Sequence, residues 1–230
     1  MGVPAFVKTG SSAIEQLSGG KFVRMESGKA VEVIPLTGLE PPEGEDPTGS
    51  NCVISFQQYA IWMDDLPEGK KSPVFPAIGG KFDPGSILGL TPKFRALMLV
   101  TVSGEDEEKI LPMGAQVFKE LAQIEMATGQ SLKGCVLRIL KTGTGMATRY
   151  KVVFTGRHVV VEGEPQTDLM DYVGPQTREE IVQLLTDAGQ WPPPGGDPMT
   201  AVSKKPAKKD TAAKTADPTS PAEDFIDVDD

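Results

Sequence analysis

FRALMLVTV at residues 94–102, KILPMG at 109–114, GAQVFKELAQIEMATG at 114–129, GCVLRIL at 134–140 and TRYKVVFTG at 148–156 lie within one module, Phe94 to Arg157. Four of these pieces carry the apolar alternation of strands, and the third carries the 3.6-residue spacing of a helix. The acidic turn SGEDEEK makes a hairpin of the first two. In the helix, Val117, Leu121 and Ile124 fall at i, i+4 and i+7, with Phe118, Ala122 and Met126 widening the stripe, so one face packs on a sheet. Gly129 stops it. The order strand, strand, helix, strand, strand gives a mainly β domain with a few helices.

Charge singles out the same module. From Lys93 to Arg157 there are ten Lys and Arg against six acidic residues, a net +4 in a chain whose total is −9. A basic module within an acidic chain points to an anionic ligand. Alternation in GCVLRIL puts Val136, Arg138 and Leu140 on one face and Cys135, Leu137 and Ile139 on the other. A glycine-rich turn, Lys141 to Met146, leads into a returning strand on which Arg149, Lys151 and Val153 oppose Thr148, Tyr150, Val152 and Phe154. Basic side chains at every second residue, beside aromatics, suit a surface that pairs phosphates with cations and stacks bases on rings. A solvated strand face with Tyr150 buried is the competing reading. On the first reading Arg138, Lys141, Arg149 and Lys151 contact phosphates, Tyr150, Tyr59 and Trp62 offer stacking rings, and Phe94 and Arg95 complete the set.

Outward toward the N-terminus, residues 1–20 have little periodicity and are expected to be flexible. KFVRME and KAVEVIPL are short alternating runs joined at Ser27-Gly28, which predicts a hairpin. Pro35 ends the second run. LEPPEGEDPTGSN is an exposed acidic loop. NCVISFQQYAIWM is a β-prone run with large side chains on both alternate faces, among them Phe56, Tyr59 and Trp62. From Asp64 to Pro92 turn residues dominate. Gly79-Gly80-Lys81 lacks the second glycine and the Lys-Ser/Thr pair of a phosphate-binding P-loop, which leaves a connecting loop.

Beyond Arg157, VVVEG is a short strand candidate. Thr177 and Glu180 have the spacing of a capping box, and Ile181, Leu184, Leu185 and Ala188 give the helix an apolar face. Residues 176–191 are therefore a short C-terminal helix, ended by Trp191 and the prolines after it. Residues 192–230 hold too few apolar side chains to offset the entropy of ordering, and a disordered linker with an acidic tail is expected. Five lysines lie between Lys204 and Lys214, and six acids with no base between Asp217 and Asp230. At the tip, Asp224, Phe225, Ile226, Asp227, Val228, Asp229 and Asp230 alternate apolar groups with carboxylates, the pattern of a partner-docking peptide rather than of a solubility tail.

Several classes are disfavoured. At 230 residues there is room for one ordinary domain plus tails, or for two small domains. Cys52 and Cys135 are far apart with His158 the sole histidine, so no zinc pattern exists and two free thiols in a reducing cytoplasm are expected. No apolar run reaches the roughly 18 residues of a membrane span, and no signal core opens the chain. No HExxH, P-loop or paired-cysteine motif appears, so neither catalysis nor a cofactor is predicted.

With these motifs set out, the chain resembles the bacteriophage-type single-stranded DNA-binding proteins. The likeness rests on KFRALMLVTV, KILPMG, VFKELAQI and LKGCVLRILKTGTGMATRYKV, a linker, and the acidic apolar tip. The resemblance implies an OB-fold, a small Greek-key β-barrel with a helix, spanning residues 21–175. It implies a groove that holds single-stranded DNA for replication, recombination and repair, and a tip that recruits partner proteins. It also implies a cytoplasmic location, that of the host for a phage-encoded chain. The tip departs from the bacterial housekeeping type in lacking a terminal Pro-Phe pair. A replication or recombination adaptor acting mainly through protein contacts is the alternative.

Overall fold

The computed structural model describes residues 21–61, 72–144 and 147–197. Within them the elements are β1 (Ala30–Pro35), β2 (Ile54–Ala60), β3 (Val74–Pro76), α1 (Pro84–Ile87), β4 (Lys93–Val102), β5 (Glu108–Met113), α2 (Ala115–Thr128), β6 (Cys135–Thr142), β7 (Arg149–His158), a 3-10 turn (Leu169–Tyr172) and α3 (Arg178–Asp187). The expected flexible residues 1–20, Trp62, and residues 198–230 of the linker and tail expected to be disordered over 192–230 lie outside the described residues, whereas residues 192–197 are described and Asp197 pairs with Arg178.

β4 is the hub of the sheet because it is the longest run that is apolar on both alternate faces. Ala96 through Val100 are all buried, and the strand pairs antiparallel with β1, β2 and β5. The sheet has seven strands, in the order β3-β2-β4-β1-β6-β7 with β5 on β4. On one side Ala96, Met98 and Val100 join Val33, Leu111, Met113, Leu137, Ile139 and Val152 around Val117 and Leu121 of α2. On the other, Leu97, Leu99 and Ile110 lie under Leu169 and Val173. A strap over residues 159–173 supplies that cover. It is tied down where the Gln166 and Thr167 amides donate to Glu108 at 2.8 and 3.0 Å, and where the Leu169 amide donates to the Gly49 carbonyl at 2.9 Å. Gly49 has to be glycine here, since a Cβ would stand 2.8 Å from the Leu169 nitrogen.

The sheet is open rather than a closed barrel. Its two candidate closing edges are already occupied. Along β5 the Val23 amide donates to the Ile110 carbonyl at 2.9 Å, and the Ile110 amide donates to the Lys21 carbonyl at 2.6 Å. Along β7 the occupants are side chains of α2: Gln116 donates to the Tyr150 carbonyl at 2.8 Å, and Glu120 accepts from the Val152 amide at 2.7 Å. The hairpin expected around Ser27-Gly28 is accordingly corrected. The turn exists, but Gly28 donates to Lys141 of β6, and Phe22 bridges Ile110 in parallel.

The helix expectations hold with one exception. α2 begins after Gly114 and ends at Gly129, whose φ of 64° is the left-handed conformation that glycine tolerates best. Val117 and Leu121 are buried, whereas Met126, read as part of the stripe, is 85% exposed. Thr177 and Glu180 form the capping box on α3. This helix packs through Ile181 and Leu185 on Tyr59, Phe75 and Trp191. The helix ends at Asp187, short of the expected Trp191, which instead belongs to the core, and Arg178 beside it is paired to Asp197 at 2.7 Å. VVVEG forms no strand. The Gly79-Gly80 loop is filled by the protein's own acid, since Asp83 accepts from the Gly79, Gly85 and Ser86 amides. Both cysteines are free and buried, and burial pushes both thiols above their ordinary value. Among the described residues no helix is long and apolar enough to cross a membrane.

Candidate nucleic-acid interface

Strand alternation sorts the predicted residues onto two surfaces. β7 turns Tyr150, Val152 and Phe154 toward the core cluster and leaves Arg149, Lys151 and Val153 exposed on the other side. β6 does the same with Leu137 and Ile139 against Arg138. The row of basic residues is therefore present, but the rings beside it in sequence stand on the opposite face.

At the seam between β5, α2 and β7 the core face opens in a cleft of ≈ 420 Å³, lined by Arg95, Pro112, Gln116, Thr148, Tyr150 and the apolar side chains around them. Tyr150 is half-buried, and its ring is at once part of the core margin and part of the cleft wall. The ring is thus neither fully buried nor free of the core. Arg95 is exposed, with Nε donating to Gln58 at 3.2 Å. Lys141 is the register partner of Tyr150 and holds the Met25 carbonyl at 3.3 Å, while Met25 itself lines the cleft. Arg95 and Tyr150 therefore share one opening, and Lys141 stands beside Tyr150 on the neighbouring strand. The α2 N-terminus opens on the same space: Gly114 caps it without a side chain, and no acid stands in the first turn. A negative group in the cleft meets no carboxylate from that turn and a favourable helix dipole.

Around β7 the electrostatics are uneven. Arg149 and Lys151 have no ion-pair partner among the described residues, whereas Arg138 is bound to Glu32 at 2.7 Å. Arg157, which sequence reasoning left out of the site, binds the other oxygen of the same carboxylate at 2.7 Å. Hydrogen bonds from Arg138 and then Arg157 hold the Glu32 carboxyl below its ordinary value. Period two from Arg149 does reach Arg157, but the sequence reading ends the strand at Gly156, whereas β7 runs on to His158.

One of the predicted stacking rings is corrected, and a second has its inner surface taken up. Tyr59 is only 3% exposed, lies against Phe75 at 5.6 Å and shares its hydroxyl with Ser86. It is a core residue because the face of β2 that carries it is covered by α3. Phe94 is half-buried with its ring 5.2 Å from that of Phe118, which takes up its inner surface. Of the four proposed rings, Tyr150 is the one that lines an opening among the described residues. Comparison of the chain with protein-family models, with curated proteins and with solved structures finds no match.

Proposed function

We propose that this protein binds single-stranded DNA, without catalysis and with little sequence preference, protecting and organising it for replication or recombination. The observation that carries the reading is the seam cleft, where the guanidinium of Arg95 and the partly exposed ring of Tyr150 line one opening. A phosphate on the cation and a base on the ring is the pairing used by grooves that hold single strands irrespective of sequence. A duplex keeps its bases stacked inside its phosphates, so such a cleft takes unpaired strands. The strand path β5-β4-β1-β6-β7, with α2 between β5 and β6, supports an OB-fold-like Greek-key barrel left partly open, a scaffold suited to oligonucleotides. The module's net +4 favours the same ligand.

Fluorescence anisotropy with a labelled oligo(dT), run over a salt series and with unlabelled duplex as competitor, tests this. Tight, salt-dependent binding with weak competition by duplex is expected. Arg149 and Lys151, on the opposite face of the same edge strand, would carry the phosphates beyond the cleft, and replacing both by Ala should flatten the log-log salt slope by about 1.4, at about 0.7 per phosphate contact. Equal competition by duplex, or no binding at low salt, overturns the reading. A chain that bound no oligo(dT) yet captured replication proteins through Asp224–Asp230 would be an adaptor instead.

A further inference from the structure

One carboxylate on the outer face of β1, β6 and β7 is shared by two guanidinium groups. Arg138 Nη2 lies 2.7 Å from Glu32 Oε1, and Arg157 Nη2 lies 2.7 Å from Oε2. Glu32 and Arg138 are register partners across β1 and β6, while Arg157 reaches the same point from β7. The arginine side chains are 58% and 61% exposed and the glutamate 23%, so the acid is the shielded centre of the group and the cations are its open flanks. Exposed ion pairs contribute little to folding stability, and the fold alone gives no reason for three charges here. Each guanidinium has five N–H donors in a rigid fork, of which Glu32 engages one apiece.

The neighbourhood is cationic. Arg138 stands opposite Val153 on β7, two residues beyond Lys151 and four beyond Arg149, and all of these are exposed on one face. Residues two apart on a strand are about 6.6 Å apart, a step comparable to that between successive phosphates of an extended strand. A carboxylate and a phosphodiester are both monoanions with two equivalent oxygens, and planar forks recognise both in the same way.

We propose that Arg138 and Arg157 are a phosphate-binding fork for single-stranded DNA, and that Glu32 occupies it in the free protein as a built-in competitor that the strand displaces. The inference rests on the single-strand reading above and extends its contact line from Arg149 and Lys151 across the sheet. A strand already held at those two residues presents its next phosphates at high effective concentration. An isolated phosphate has no such help, so the device favours polymers over small anions.

The test is salt-dependent anisotropy with labelled oligo(dT) on the full chain and on Glu32→Gln, Arg157→Ala and Arg157→Lys, each checked for folding by its melting curve. Glu32→Gln should bind about five-fold more tightly at low salt, the factor that one unit charge at about 4 Å in water is worth. Its log-log slope should steepen by about 0.7. Arg157→Ala should weaken binding and flatten the slope by a similar amount, and Arg157→Lys should recover the slope but not the full affinity. If the unaltered chain binds and Glu32→Gln binds no tighter with the same slope, the fork is overturned while single-strand binding stands. If the unaltered chain binds no oligo(dT), both fall. Should Arg157→Ala fail to fold, Glu32→Gln and Arg157→Lys decide alone.

Discussion

Across β4 and β5 the outward side chains Leu97, Leu99 and Ile110 lie under the strap, whereas across β6 and β7 the outward Arg138, Arg149 and Lys151 are left open. The two halves belong to one sheet and share one inner core. Their outer fates differ because of what stands at every second position. Leucine and isoleucine there gain by leaving water, so a second layer forms over them at little polar cost. Arginine and lysine in the same geometry disfavour a cover, since it would have to bury the charges of Arg149 and Lys151, which have no ion-pair partner among the described residues. A sheet that is apolar on both faces at one end and on one face at the other thus yields a covered layer and an open basic face from the same hydrogen-bonded ladder.

The strongest way to break this contrast is to spoil the cover. Leu169 is fully buried on the β4–β5 face, and Leu169→Ala should lower stability by about 2–5 kcal/mol, read as a shift of the urea midpoint. Affinity for oligo(dT) should hardly change while the chain is folded. A loss of affinity without loss of stability would mean that the covered face takes part in binding. Next in size, Tyr150→Ala should weaken oligo(dT) binding by about 1–3 kcal/mol, measured by anisotropy below the melting range. Unaltered affinity would leave the ring a core residue only.

A smaller effect sharpens the boundary of the strap. α3 follows it, and Thr177→Ala should cost about 0.5–2 kcal/mol through loss of the cap, visible in thermal melts. The partner in that box adds a pH signature. Backbone hydrogen bonds from Thr177 and Gln176 hold the Glu180 carboxyl below its ordinary value. A depressed carboxyl stabilises the fold above its unfolded value and loses that contribution as pH falls through the folded value. Acid titration of Glu180→Gln should therefore show a shallower loss of stability below the ordinary carboxylate range than the unaltered chain. The least effect belongs to the seam: Gln116→Ala should cost about 0.5–1.5 kcal/mol and raise amide exchange near β7.

Much of the frame was legible because its signals are local. The alternation in residues 94–102, the helical spacing of Val117 and Leu121, Gly129 and the capping box each act within a turn or two of chain. What escaped depended on distant partners. KFVRME pairs with β5 because Ile110 offers a free edge, and no turn chemistry at Ser27-Gly28 distinguishes that partner from the neighbouring run. Tyr59 looked available because β2 carries large groups on both faces, and only the arrival of α3 decides which face closes. Trp191 was hidden by the prolines beside it. Within the candidate site, the basic row could be read from period two alone, but the Glu32 link joins residues 106 and 125 positions apart.

A closed barrel fixes the width of its mouth by strand ladders, but here that width is set by two side chains. Gln116 and Glu120 reach from α2 to the backbone of Tyr150 and Val152. Letting go of both costs about 0.5–1.5 kcal/mol each, while the pairing of β6 with β7 stays intact. The seam is in this sense a compliant hinge. Under the proposed function, rotamer changes in this glutamine and glutamate would let the joint between a helix and a strand widen for a purine or close on a pyrimidine.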